Sequence, residues 1–145
     1  MSSSTMSMFD SSVDKQLDLH GLFYKFCSYR DNNIHIDSRY FKLLIKYKID
    51  IQLLQDYICN IVEKVLLNNS KYEIHANAES LSIFDFEKYK IFIHEMTNAF
   101  RIKFTNRLDK CYLYNTSVLF KLMHGFFKRV MSKEDLDCII FVKDE

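Results

Sequence analysis

Past residue 70 the spacing of apolar residues changes from a period near 3.6 to a period of two, and the two periods then alternate to the end of the chain. In "KYEIHANAE" (71–79) Tyr72, Ile74 and Ala76 alternate. In "LSIFDF" (81–86) Leu81, Ile83 and Asp85 alternate against Ser82, Phe84 and Phe86. Both stretches predict strands. From Glu87 the helical period returns with Tyr89, Phe92, Ile93, Met96, Ala99, Phe100 and Ile102. "TNRLDK" then reads as a loop and "CYLYN" as a third short strand. Residues 117–131 form a helix carrying Leu119, Phe120, Met123, Phe126, Phe127 and Val130. Ser132 caps the short turn "SKEDLD", which leads into a fourth strand, "CIIFV". The order is β-β-α-β-α-β. Strands joined through helices pair in parallel with right-handed crossovers, and a parallel sheet needs helices packed on it. The expected fold is therefore α/β, a small mixed and mainly parallel sheet of about four strands flanked by helices.

The first half supplies helices for that sheet. Residues 1–12 read as a disordered, Ser-rich tail, and one domain is expected over 13–145, helical over 13–68 and α/β over 71–143. Val13, Leu17, Leu22, Phe23 and Phe26 keep helical spacing up to Tyr29. "RDNN" is a loop and "IHID" a short extended piece. Asp37 or Ser38 caps the next helix, with Phe41, Leu44 and Ile45 on its apolar face. Asp50 starts a third, whose stripe of Ile51, Leu54, Tyr57, Ile58, Ile61, Val62 and Val65 is the most regular in this half.

Composition excludes several kinds of chemistry. The 145 residues hold two glycines and no proline, so Gly21 and Gly125 cannot build a glycine-rich phosphate loop. Helix ends must be set by Asn, Asp and Ser instead. Lys plus Arg number 20 against 19 Asp plus Glu, without the basic excess of a nucleic-acid binder; no nucleic-acid partner is expected. The cysteines, Cys27, Cys59, Cys111 and Cys138, have no C-x-x-C spacing, and the last three sit in apolar runs as small buried hydrophobes. That pattern, with no signal-peptide segment and no apolar run of about 18 residues, leads us to expect a cytoplasmic protein with at most peripheral membrane contact.

No constellation of catalytic residues stands out. The five histidines, His20, His35, His75, His94 and His124, show no metal-ligand spacing, and neither metal nor cofactor is expected. A strand entering a helix at Ser117 invites comparison with a nucleophile elbow. That elbow needs glycines two residues to either side, where this chain has Asn115 and Leu119. Asn115, Thr116 and Ser117 read instead as an N-cap for the aromatic helix. Asp85 has two readings: a functional group at a strand end, or a cap for the helix that follows. Lys121, Lys128, Arg129 and Lys133 read as a solvated face. With no nucleophile, base and orienting group together, an enzyme is not expected.

"RLDKCYLYNTSVLFKLMHGFFKRVMSKEDLDCIIFV" (107–142) resembles the later half of a CRAL-TRIO lipid-binding domain. Arg107-Leu108 stand in the family's lead-in, Tyr112 to Asn115 in its strand and Phe120 at its aromatic position. Ser132 opens the next turn, Ile140-Phe141-Val142 form the last strand, and "SLSIFDF" matches the preceding strand ending at Asp85. The likeness covers residues 72–142, more loosely from 38. Ser117 stands where the family has proline, "KFTNRL" lacks the family's Tyr-Pro-Glu, and no glycine follows Asp85. The resemblance implies a shortened, divergent member: a non-enzymatic module binding a hydrophobic ligand or phospholipid between sheet and helices. Phe84, Phe86, Tyr112, Tyr114 and Phe120 would line its site. The alternative on the same fold is a protein-interaction or assembly subunit, packed solid, with a protein partner and no lipid pocket.

Overall fold

The structure, a computed structural model, describes residues 19–143. The expected tail (1–12) and residues 13–18 of the first helix lie outside the described residues. A helical segment, α1 (19–26), runs directly into strand β1 (Cys27–Arg30), which turns back as β2 (Asn33–Asp37). Helices α2 (Ser38–Lys46) and α3 (Ile51–Leu66) lead to β3 (Tyr72–Asn77), and α4 (Ile83–Lys103) leads to β4 (Leu108–Tyr114). Then α5 (Phe120–Val130) and the short α6 (Lys133–Asp137) reach β5 (Ile139–Phe141). The five strands lie in the order β1-β2-β3-β4-β5; the β1–β2 pair is antiparallel and the other three pairs are parallel.

A sheet whose parallel strands follow one another in chain order, joined by crossovers of one hand, stacks its helices on one face. Side-chain alternation shows which face that is. Ile34, Ile74 and Leu113 are buried beneath the helices, with Ile36, Ala76, Cys111 and Ile139 packed beside them in the two core clusters. His35, His75, Tyr112 and Tyr114 point the other way and belong to neither cluster. The rings of His35, His75 and Tyr112 stack across neighbouring strands at centroid distances of 5.0 and 4.9 Å. Asn33 Oδ1 and the Tyr114 hydroxyl each lie 3.0 Å from a His75 ring nitrogen.

Helix starts follow the polar-cap logic that a chain without proline and nearly without glycine requires. Asp37, Asp50 and Ser132 accept from the backbone N–H groups of Arg39, Gln52 and Asp135. Left-handed turn positions fall to Asp31, Lys48, Ser80, Asn106 and Asn115. At Lys48 (φ 63°) the N–H groups of Lys48 and Ile49 donate back to Ile45 and Leu44, which is the helix-ending arrangement that glycine usually serves.

Three expectations need correction. "LSIFDF" is not a strand: α4 begins at Ile83, because Ser82 and Asp85 close a reciprocal capping box at 3.0 Å in each direction. The box outweighs the strand preference of Ile and Phe. The extended piece expected at "IHID" is strand β2, but it pairs with a further strand, β1, over residues expected to finish the first helix, and "RLDK" extends β4 rather than lying in a loop. Nor does Ser117 cap α5. Asn115 adopts φ 59° and donates through Nδ2 to Asn77 Oδ1 at 2.7 Å. A turn closed by Leu119 N–H on the Thr116 carbonyl follows, and the helix starts at Phe120 with no side-chain cap. Ser117 is exposed within that turn, two residues before the N-cap position.

Candidate functional site: a cavity beneath helix α4

Two helices of this layer are seated on the sheet differently. Helix α3 buries Leu54, Ile58, Cys59, Ile61, Val62 and Val65 in its 16 residues, whereas α4 buries only Phe86 and Met96 in 21. Yet α4 is rich in apolar side chains, and most of those turned inward remain half-buried. The reason is the space below them, a cavity of about 400 Å³ between α4 and the sheet. That lies within the range of about 300–1,000 Å³ typical of small-molecule sites.

The floor consists of the inward residues of four strands: Ile36, Ile74, Ala76, Cys111, Leu113 and Ile139. The roof is a single face of α4, with Phe86, Tyr89, Ile93, Met96 and Phe100 spaced three or four residues apart along the helix and Phe104 at the cap position just past its end. Phe41 and Ile58 close one side, and Met123 and Phe127 of α5 close the other. With a rise of about 1.5 Å per residue, this lining stripe runs along nearly the whole of α4, about 30 Å. The result is an elongated, mostly apolar slot with polar residues at its two ends.

At the start of α4 the polar groups satisfy one another. Lys42 Nζ donates to Asp85 Oδ2 at 2.9 Å and to the Ser80 carbonyl at 3.0 Å; Ser38 Oγ donates to the Glu79 carbonyl at 2.6 Å. The Lys42 hydrogen bond, joined by those from Ser82, holds the Asp85 carboxyl below its ordinary pKa. Asp85 thus belongs to the capping box and to the ion pair. The far end, where α4 finishes, carries Arg101, Thr105, Asn106, Ser132, Glu134 and Asp135 around the buried Tyr72. On the floor, burial pushes the Cys111 thiol up to about 12, so it stays protonated and serves as an apolar surface. Among the described residues, no three His, Cys, Asp or Glu side chains are placed to hold a metal ion, and no helix is long and apolar enough to cross a membrane.

Of the five residues expected to line a site, Phe86 alone lies on this cavity. In a strand Phe84 and Phe86 would share a face. In a helix they stand about 200° apart, and Phe84 is 78% exposed where Phe86 is 1%. Tyr112 and Tyr114 lie on the opposite face of the sheet, for the alternation of β4 turns Cys111 and Leu113 inward. Phe120 sits on the outside of α5, stacked on His124 and edge-on to Phe141. The roof of α4 and the aromatic Tyr72 went unrecognised as lining. Their signal was an apolar surface on α4 wider than one packed face requires.

No family model matches the chain, and no curated protein matches it. Among solved structures it is similar to that of Sfh5, a Sec14-family CRAL-TRIO protein, with a TM-score of 0.65 and 13% sequence identity. The match covers 80% of this chain and 46% of Sfh5, so the chain spans about half the length of that neighbour. At such identity the likeness is one of architecture, and the chain has a CRAL-TRIO-like α/β fold.

Proposed function

We propose that this chain is a non-enzymatic binding module that takes a hydrophobic or lipid ligand into the slot between α4 and the sheet. The observation that carries the reading is the apolar cavity of about 400 Å³, roofed by one continuous face of a helix that buries only two residues. A helix kept off its sheet forfeits burial worth about 1.5–3 kcal/mol for each large side chain left unpacked. A ligand occupying the slot would restore those contacts. The CRAL-TRIO-like architecture supports the same reading, since that family binds lipids between sheet and helices. The cavity weighs against the alternative of a solidly packed interaction subunit. In keeping with this function we place the protein in the cytoplasm, with its four free cysteines reduced.

The test is organic extraction of protein purified without detergent, followed by mass spectrometry. The expected result is a hydrophobic molecule recovered at close to one per chain, or taken up to that ratio from lipid vesicles. Protein that neither carries nor takes up such a molecule would overturn the proposal.

A further inference from the structure

Helix α4 carries large apolar side chains on the side away from the sheet as well as on its lining face. Phe84, Ile91 and Ile102 are 78%, 72% and 73% exposed. From Phe84 to Ile102 is about five full turns, and Ile91 stands about two turns after Phe84. The three therefore lie on one line about 27 Å long, opposite the residues that roof the cavity. Single exposed apolar residues are ordinary, but a helix that is apolar on two opposite sides is one that is covered on both. The sheet covers only one side of α4.

The charges beside this line point to what covers the other. Lys88 and Glu95 lie on the flank toward α3, where Gln55 Nε2 donates to Glu95 at 2.7 Å; neither makes an ion pair with a described residue. They stand about 10 Å apart along the axis, too far to pair with each other. On the flank toward α5, Glu87 pairs with Lys90 at 2.9 Å, and Arg101 donates to Asn98 at 2.8 Å without a carboxylate partner among the described residues. The apolar line is symmetric about residue 93, midway between Phe84 and Ile102. Suppose a second copy of α4 lies antiparallel on the first, with a two-fold axis at that level. Phe84 then meets Ile102 of the second copy at both ends, and the two Ile91 side chains meet near the centre. The symmetry brings like flanks together. Glu95 of the second copy falls about 4.5 Å along the axis from Lys88, and its Arg101 about 3 Å from the level of Glu87. Its Lys103 falls beside Asp85, which Lys42 already holds. In a parallel pair Lys88 and Glu95 would stay about 10 Å apart and the helix dipoles would align unfavourably.

We propose that the outer face of α4 pairs antiparallel with the same face of a second copy of this chain, giving an isologous two-fold dimer. Phe84, Ile91 and Ile102 form its apolar seam, and Lys88 with Glu95 of the second copy fixes the register on one flank. The contact is a single helix face, smaller than the roughly 1,200 Å² or more of a stable interface. The dimer is therefore weak, with a dissociation constant on the order of tens of micromolar. Pairing uses the side of α4 that faces away from the cavity, so the inference stands whether or not the slot takes a ligand.

Sedimentation equilibrium of the full chain tests the proposal, over concentrations from about 5 to about 500 µM that bracket the expected constant. The mass of wild type should rise from that of the 17.4 kDa monomer toward twice that value. Ile91→Ser should weaken association at least tenfold while leaving the circular dichroism spectrum unchanged, because the side chain it replaces is exposed. Lys88→Glu and Glu95→Lys should each weaken it about tenfold, by setting like charges against each other. The double variant Lys88→Glu/Glu95→Lys should return to within about threefold of wild type, because both pairs are restored with their signs exchanged. A wild type that stays monomeric throughout refutes the dimer. Association that Ile91→Ser leaves unchanged lies on another surface and refutes the α4 seam. Single charge variants that weaken association without rescue in the double variant refute the antiparallel register.

Discussion

Ala76 lies on the cavity floor where the two core clusters meet, so enlarging it measures whether the space beneath α4 is real. In a close-packed core, adding methylene groups forces neighbours off their rotamers and costs about 1–3 kcal/mol. Ala76→Leu adds three carbons, and here they would enter open space bounded by apolar side chains. At about 0.8 kcal/mol per buried CH2 the gain is at most about 2.4 kcal/mol, and smaller in practice because the new side chain touches neighbours on only part of its surface. The sign of the change therefore separates an empty slot from a solid core. Urea unfolding of ligand-free protein should show a midpoint equal to or above that of wild type, with an unchanged slope. The same substitution should weaken binding of Nile red, because it occupies the site. A stability loss of 1 kcal/mol or more would refute the reasoning and favour the solidly packed alternative.

Hydrogen exchange should show the amides of α4 opening well before those of α3, with the difference shrinking when the slot is filled; equal protection in ligand-free protein would contradict the weak seating of α4. Asp85→Ala should cost about 1 kcal/mol at neutral pH, through loss of a cap and an ion pair. Because the carboxyl is held below its ordinary value of 3.8, that contribution is complete above this value and fades as pH falls through the lower folded one. Wild type and variant should therefore converge in acid unfolding curves. Lys48→Gly should stabilise by about 1 kcal/mol in thermal or urea unfolding, since it relieves a left-handed residue at the end of α2. Ser117→Ala should change stability by less than about 0.5 kcal/mol, where a true N-cap would lose about 1 kcal/mol.

The alternation of periods after residue 70 disclosed the β-α-β-α-β backbone of the sheet, and the polar caps at Asp37, Asp50 and Ser132 were plain in the chain. "LSIFDF" misled for a definite reason. Six residues can satisfy a period of two and still be a helix start, and the deciding signal was Ser82 with Asp85 three residues on. That reading carried the site residues with it, because placing Phe84 beside Phe86 depends on a strand. Likewise "CYLY" allows either parity: the tyrosines are large enough to line a pocket, but Cys111 and Leu113 are the apolar pair and face inward. The β1–β2 hairpin was less legible. Its two strands are four and five residues long, and only Cys27, Ile34 and Ile36 mark the inner face. What no periodicity discloses is the gap beneath α4, because a helix above a cavity and a helix in a core share one apolar pattern.

Native mass spectrometry of this chain, after incubation with lipid vesicles and removal of the lipid, tests the central claim most directly. Wild type should carry one hydrophobic molecule per chain, and Ala76→Trp, shown by circular dichroism to be folded, should carry none. A wild type that stays unliganded, or an adduct that survives the indole on the cavity floor, would contradict a binding site beneath α4.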